Sequence, residues 1–319
     1  MARPHIFVAD WLMPDFDLEK ELLEQAGVSW CLPPWTPSPP PREDQRQGLL
    51  TRIAKAARID AVLFQLAPLD AEVVAALPDS CKILQRVGIG LDTVDREAAA
   101  QRSIVVNNTP GYCTEEVAVH AMSLLLSLYR QLDATQRSLL AGRWSDRSPK
   151  PIERLSRLTL GIIGLGRIGR RFAETMKPLV SRILFHDSAS QMTPDGLIPV
   201  GLEDLLCQSD FVSLHCPLLP ETRRLLNANT LKLLKPTAIV LNVARGGLID
   251  AEALANALNE ERLAAAGLDV YEPEVLAIDS PLRTCKNILL TSHTAWYSRQ
   301  AILDARTEAI RDILERISA

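Results

Sequence analysis

The sequence predicts an α/β protein made of two doubly wound parallel-sheet domains. Three observations carry that prediction. Short apolar runs alternate with helical patterns almost throughout the chain. The runs are apolar on both faces instead of alternating, as strands covered on both sides must be. At 319 residues the chain suits two domains better than one.

The first series places strands at residues 5–10, 61–66, 83–88 and 104–108, with helical patterns over 17–26, 43–57, 70–77 and 95–101 between them. The run Pro33-Pro34-Trp35-Thr36-Pro37-Ser38-Pro39-Pro40-Pro41 lacks amide donors, which excludes helix or inner strand. It reads as an extended surface loop; the other reading is a motif for a proline-binding module. Residues 114–141 read as one long helix, apolar-rich but carrying Glu115, Glu116, Arg130 and Arg137, which separates the two series. The second series places strands at 158–164, 182–187, 211–216, 238–244, 265–270 and 287–292, and a final helix covers 298–317.

Composition excludes several classes. With 47% apolar and 23% charged residues the chain is globular, not disordered. A net charge of -4 provides no basic field for nucleic acid, so an acidic ligand must be caught by a few placed cations. The six cysteines (Cys31, Cys81, Cys113, Cys207, Cys216, Cys285) have no zinc-like spacing, so reduced thiols and no metal are expected. The start Met-Ala-Arg-Pro-His lacks a signal peptide's apolar core, and no run nears the roughly 18 apolar residues of a membrane span. A cytoplasmic location is expected, with no membrane partner.

The sharpest local signal is Gly164-Leu165-Gly166-Arg167-Ile168-Gly169, which follows an apolar strand and opens a helical pattern. Gly164 suits a tight turn, Gly166 the close approach of a diphosphate, and Gly169 close helix–strand packing. The helix N-terminus then offers free N–H groups to the anion. The next strand ends in Phe185-His186-Asp187, whose acid would accept the ribose hydroxyls and repel a 2′-phosphate. Ser188-Ala189-Ser190 follow with no nearby arginine, favouring NAD over NADP.

Three later segments end strands of the same sheet, where open α/β folds bind ligands. They are 242–250 with Arg245, 267–274 with Asp269 and Glu274, and 290–296 with His293. Reducing a carbonyl next to a carboxylate needs a planar cation to hold paired oxygens, a proton donor, and a partner for that donor. Arginine, histidine and a carboxylate supply these. Glu272, two positions away, is an alternative to Glu274.

Together these segments resemble the D-isomer-specific 2-hydroxyacid dehydrogenase family, from about residue 83 to the C-terminus. The likeness rests on Arg86-Val87-Gly88-Ile89-Gly90-Leu91-Asp92-Thr93-Val94-Asp95, Asn108-Thr109-Pro110-Gly111, the glycine loop, His215-Cys216-Pro217-Leu218 and the Arg245, Glu274 and His293 segments, in family order. Residues 1 to about 80 agree only in β/α pattern. Val119, Val275 and Ser292 depart from the family's usual residues.

The resemblance implies NAD-dependent hydride transfer between nicotinamide C4 and C2 of a 2-hydroxy or 2-oxo acid. It implies His293 as general acid/base, Glu274 as its partner and Arg245 as substrate anchor, with the amides of Ile89 and Gly90 holding the substrate carboxylate. Arg167 and Ile168 would meet the pyrophosphate, Asp269 the nicotinamide carboxamide, and His215, Cys216 and Pro217 would border the cofactor. It further implies a discontinuous flavodoxin-like substrate domain (1–106 with 296–319), a Rossmann cofactor domain (107–295), and a homodimer through the cofactor domain and the helix after Thr114.

Single residues narrow the subclass that the resemblance implies. Glu274 stands where formate-oxidising relatives carry glutamine, Ile89 where phosphite-oxidising relatives carry lysine, and no arginine lies near Phe64-Gln65-Leu66 as in phosphoglycerate-type relatives. With the sequence ending at Ala319, no C-terminal regulatory domain is expected. His293-Thr294-Ala295-Trp296-Tyr297-Ser298 resembles the branch containing the C-terminal binding proteins, where the tryptophan packs on substrate and an extra arginine, here Arg86, meets its carboxylate. Trp296 reads as a pocket wall or as a core aromatic at a domain hinge. That branch raises a rival function, an NAD-responsive binding scaffold of the corepressor kind.

Overall fold

A computed structural model of the chain describes residues 3–13, 15–34, 42–144, 151–188 and 194–318. Most of the proline-rich run, from Trp35 on, lies outside the described residues, as do Ala189 and Ser190. The chain forms two compact units, Met1–Tyr112 with Ser298–Ala319, and Cys113–Tyr297. The divide falls a few residues beyond both sequence boundaries. One cause is visible in the first unit: Gly88 donates its N–H to Thr109 Oγ1 (2.8 Å) and Asn108 Nδ2 donates to Ile89 O (2.6 Å), tying 108–109 to the first sheet.

In the first unit, β1 (His5–Val8), β2 (Ser29–Cys31), β3 (Ala61–Phe64), β4 (Ile83–Arg86) and β5 (Val105–Asn107) pair in parallel in the order β2-β1-β3-β4-β5. This is the flavodoxin-like order. The helices α1 (Asp17–Gln25), α2 (Arg42–Lys55), α3 (Ala71–Ala76) and α4 (Arg96–Gln101) form the crossovers. Asp70 and Asp95 start α3 and α4 by accepting the N–H of Val73 and Ala98. The final helix, Arg299–Ser318, lays Ala305, Ala309, Ile310 and Ile313 on Ile6, Val8, Leu63 and Ile83. Its Arg306, 5% exposed, pairs with the fully buried Glu19 at 2.6 and 2.7 Å, so the charge is compensated where water cannot reach it.

The second unit begins with α5 (Thr114–Tyr129) and α6 (Leu132–Leu140). The single long helix expected over 114–141 is therefore corrected to two. Gln131 takes a left-handed φ of 54° and breaks it, at the point where α5's buried face (Val117, Ala118, Ala121, Leu124, Leu125) runs out. Then come β6 (Thr159–Ile163), α7 (Arg167–Met176), β7 (Arg182–His186), β8 (Leu197–Pro199), α8 (Leu202–Gln208), β9 (Phe211–Leu214), β10 (Ile239–Asn242), α9 (Ala251–Asn259), β11 (Ala265–Leu268) and β12 (Ile288–Leu290). All pairs are parallel, in the order β12-β11-β10-β9-β6-β7-β8. Strand order reverses between β6 and β9, the switch point where Rossmann sheets hold their ligand. Every residue of β6, β9, β10 and β11 is buried, as the apolar runs require. Among the described residues no helix is long and apolar enough to cross a membrane.

Candidate active site

At the switch point β6 runs into Gly164, whose φ is +91°, and a Cβ there would stand 2.5 Å from the Cys216 nitrogen. A Cβ on Gly169 would lie 2.2 Å from the Gly164 carbonyl oxygen, so α7 approaches the turn as closely as backbone allows. Gly166 differs: nothing lies within 4 Å of where its Cβ would be. The first N–H groups of α7, which starts at Arg167 and Ile168, thus open onto bare backbone, the cradle a diphosphate needs. The residues present fit a dinucleotide.

Asp187, just past β7, accepts the Leu165 N–H through Oδ2 at 2.6 Å, so the acid expected at the ribose also ties down the glycine turn. On the β9 side, His215 donates its backbone N–H to Ile163 O (2.8 Å), and its Nε2 lies 2.8 Å from Ser213 Oγ. Burial depresses its pKa to about 3, so the ring is neutral at working pH. Burial pushes the Cys216 thiol up to about 11, which keeps it protonated, and the Pro217 carbonyl accepts the Thr222 hydroxyl at 2.7 Å.

The neighbouring strands β10, β11 and β12 each deliver one member of the expected catalytic set. After β10, Asn242 Oδ1 accepts the Ala244 N–H (3.1 Å) and its Nδ2 donates to Arg245 O (2.8 Å), folding a turn that presents Arg245 half-buried. A Cβ on Gly246 would sit 1.9 Å from the Tyr271 carbonyl carbon, so the β10 and β11 loops meet backbone to backbone. After β11, Tyr271 donates its one hydroxyl proton to Thr291 O (2.7 Å), with Leu268 O also within reach (3.0 Å), and burial raises its pKa to about 12.

The two glutamates separate cleanly. Glu272 is held by Arg223, with both carboxylate oxygens at 2.8 Å, whereas Glu274 Oε1 lies 2.5 Å from His293 Nδ1. The His293 and Glu274 side chains are 45% and 47% exposed, so this pair is reachable from solvent. Because Nδ1 faces the carboxylate, Nε2 is the ring nitrogen left to meet a ligand. Trp296 is half-buried, with its ring edge-on to Tyr297 at 5.7 Å.

Asp269 does something the sequence does not announce. Its side chain is fully buried; Oδ1 accepts the Thr291 hydroxyl (2.6 Å) and the Thr294 N–H (2.9 Å), and Oδ2 accepts the Ala295 N–H (2.9 Å). Both oxygens thus fasten the His293 segment.

In the first unit, Arg86 ends β4 and its Nε would lie 3.1 Å from a Cβ on Gly88, so the guanidinium lies along the glycine. Ile89 and Gly90 follow, half-buried. Sequence reasoning does not single out Asp10, which accepts the N–H groups of Gln65 and Leu66 at 2.7 Å each; burial raises its pKa, against those bonds and the nearby Arg86. It also passes over His120 and the hydroxyl of Thr291. The available signal for His120 is a histidine inside an otherwise apolar helical run. Among the described residues no group of His, Cys, Asp and Glu could hold a metal ion.

Residues 122–295 match the model of the D-isomer specific 2-hydroxyacid dehydrogenase NAD binding domain. A D-3-phosphoglycerate dehydrogenase of Mycobacterium tuberculosis is 35% identical over 321 residues, 99% of this chain, but the chain spans only 57% of that relative's length. A glyoxylate reductase of Aeropyrum pernix is 35% identical over 314 residues, 95% of this chain and 90% of the relative. A D-lactate dehydrogenase of Aquifex aeolicus, solved with NAD and lactic acid, superposes with a TM-score of 0.82 at 26% identity, covering 98% of this chain and 95% of that one. With its glycine turn at the switch point of a parallel sheet and a histidine–glutamate pair at the ends of other strands of that sheet, the chain belongs to the D-isomer-specific 2-hydroxyacid dehydrogenase family.

Proposed function

We propose that the protein interconverts a 2-oxo acid and its D-2-hydroxy acid with NAD as hydride carrier. The observation that carries this reading is the solvent-reachable contact between His293 Nδ1 and Glu274 Oε1, delivered by the two strands next to the one that carries Arg245. Bound NAD supplies or takes the hydride. The amides at the start of α7, with Arg167 and Ile168, would hold its diphosphate, Asp187 its ribose, and the His215–Pro217 turn its flank.

The chain's own groups do the rest. Arg245 pairs its planar fork with the substrate's carboxylate and carbonyl oxygens. His293 gives a proton from Nε2 to the oxygen that becomes the alcohol, and takes it back in the reverse direction. Glu274 fixes the ring and balances the charge of the imidazolium. In the first unit, the amides of Ile89 and Gly90 and the guanidinium of Arg86 suit a carboxylate. Half-buried Trp296 favours a substrate with an apolar or thioether side chain.

A homodimer fits the surface of the second unit. α6 buries none of its residues, and Leu140 and the nearby Trp144 are 78% and 85% exposed, an apolar face suited to a second copy. A cytoplasmic setting fits free thiols at Cys31, Cys81, Cys113, Cys207, Cys216 and Cys285.

The test is NADH oxidation against glyoxylate, hydroxypyruvate, 2-oxo-4-methylthiobutyrate and phenylpyruvate, with His293→Ala alongside. At least one acid should turn over, and His293→Ala should lower kcat by about a hundredfold or more with NADH binding little changed. Near-normal turnover in that variant would remove the mechanism.

A further inference from the structure

α5 turns an imidazole, His120, toward the sheet, and that ring reaches the segment carrying His293. The His120 Nε2 lies 3.0 Å from Thr291 Oγ1, and the Thr291 hydroxyl lies 2.6 Å from Asp269 Oδ1. A carboxylate can only accept, so the threonine proton points to Asp269 and the threonine oxygen must accept from His120. The proton of His120 therefore sits on Nε2. The result is a directed chain, His120 to Thr291 to Asp269, running from the helix into a carboxylate with no exposed surface, and His120 Nε2 also stands 3.6 Å from Asp269 Oδ1.

Asp269 in turn grips the His293 segment at almost every residue. Its side chain takes the Thr291 hydroxyl and the amides of Thr294 and Ala295, and its backbone carbonyl takes the His293 N–H at 2.8 Å. His293 needs that grip, because its φ of +53° is a left-handed conformation that a side-chain-bearing residue keeps only when its surroundings over-determine it. The same conformation accompanies its contact with Glu274.

We infer that His120 is a positioning residue for the acid/base chemistry at His293. By donating to Thr291 it commits the threonine hydroxyl to Asp269, and so holds the left-handed turn that keeps the imidazole against Glu274. His120 touches no reacting atom in this scheme; it acts through two residues. The inference rests on the reading of His293 as the proton carrier. A purely structural His120, packing α5 on the sheet, would affect stability but not divide kcat from KM.

The experiment uses the whole 319-residue chain and the 2-oxo acid that turns over best, with kcat, both KM values and melting temperature measured for each variant. The variants are His120→Ala, His120→Gln, Thr291→Val, the His120→Ala/Thr291→Val double, and His293→Ala as reference. His120→Ala should lower kcat about tenfold with the NADH KM within about twofold of the parent. Glutamine, whose amide N–H can stand in for Nε2–H, should restore kcat to within about threefold. The double variant should be slower by less than the product of the two single effects, because both changes act on the one carboxylate of Asp269.

Parent-like kcat in His120→Ala overturns the inference, and so does a glutamine variant as slow as the alanine one, or multiplicative effects in the double. If His120→Ala does not fold, the near-isosteric Thr291→Val decides: unchanged kcat there overturns the inference. His293→Ala separates the two claims. Persistent turnover in it removes the proton-carrier reading itself, whereas a dead His293→Ala beside a fully active His120→Ala defeats only the positioning role.

Discussion

Asp269→Asn tests the interior of the site with almost no change in shape. The carboxylate accepts three bonds, two on Oδ1 from Thr291 and Thr294 and one on Oδ2 from Ala295. An asparagine does best with its carbonyl in the Oδ1 position, which sets its NH2 against the Ala295 N–H. One bond to a charged acceptor is lost and a buried donor is orphaned, at a cost of about 1.5–3 kcal/mol. The two bonds that remain weaken roughly by half as the acceptor becomes neutral. Removing a buried charge returns part of this, which leaves a net loss of about 2–4 kcal/mol. For a unit of this size each kcal/mol moves the melting temperature by about 2–4 °C, so the second unit should melt roughly 5–15 °C earlier. Circular dichroism melts of parent and variant at pH 7 measure it, and kcat should fall with the grip on His293. A melting temperature within about 2 °C of the parent would mean that the three bonds do not carry the segment, and the reasoning fails.

Three further outcomes follow from other parts of the structure. Asp187→Ala should raise the NADPH-to-NADH ratio of kcat/KM by about tenfold or more, since the acid that repels a 2′-phosphate is gone; an unchanged ratio contradicts the ribose assignment. Gly169→Ala puts a Cβ 2.2 Å from the Gly164 oxygen, so α7 must back away, and NADH affinity by fluorescence titration should drop about tenfold or more. His215 has a folded pKa of about 3 against an ordinary 6.5, so the unfolded chain takes up the proton first as pH falls. Its contribution is full above about pH 6.5 and is lost progressively toward pH 3; the melting temperature of His215→Asn should therefore fall less steeply between pH 6 and 4, and equal slopes would count against a buried neutral ring.

The parts of the fold that sequence pattern misses share one physical property. β2 (Ser29–Cys31) and β8 (Leu197–Pro199) are short strands at the sheet edges, each pairing on one side only. An edge strand is not enclosed, so it needs no apolar run, and Pro199 is tolerated there because no second neighbour requires its missing N–H. The inner strands are legible because each must be apolar on both faces. The break at Gln131 is invisible for another reason: nothing in Leu128-Tyr129-Arg130-Gln131-Leu132 forbids helix. The helix ends where its buried face ends, which is a tertiary fact.

The site divides along a similar line. Arg245, Glu274 and His293 can be named from the sequence because ligand chemistry limits the residue types that serve, and the carboxyl edge of the sheet limits where they stand. Sequence alone cannot choose between Glu272 and Glu274; the choice is made by Arg223, a residue 49 positions away, which occupies the first and leaves the second to His293. Asp269 shows the converse. Its position marks it as important, but only the partners of its two oxygens reveal that it fastens the His293 segment from within. A residue's chemistry is legible when it points at a ligand, because the ligand constrains it. When it points at other residues, its role depends on partners scattered along the chain, here from His120 on a helix to Ala295 on a loop, and only the fold brings those together.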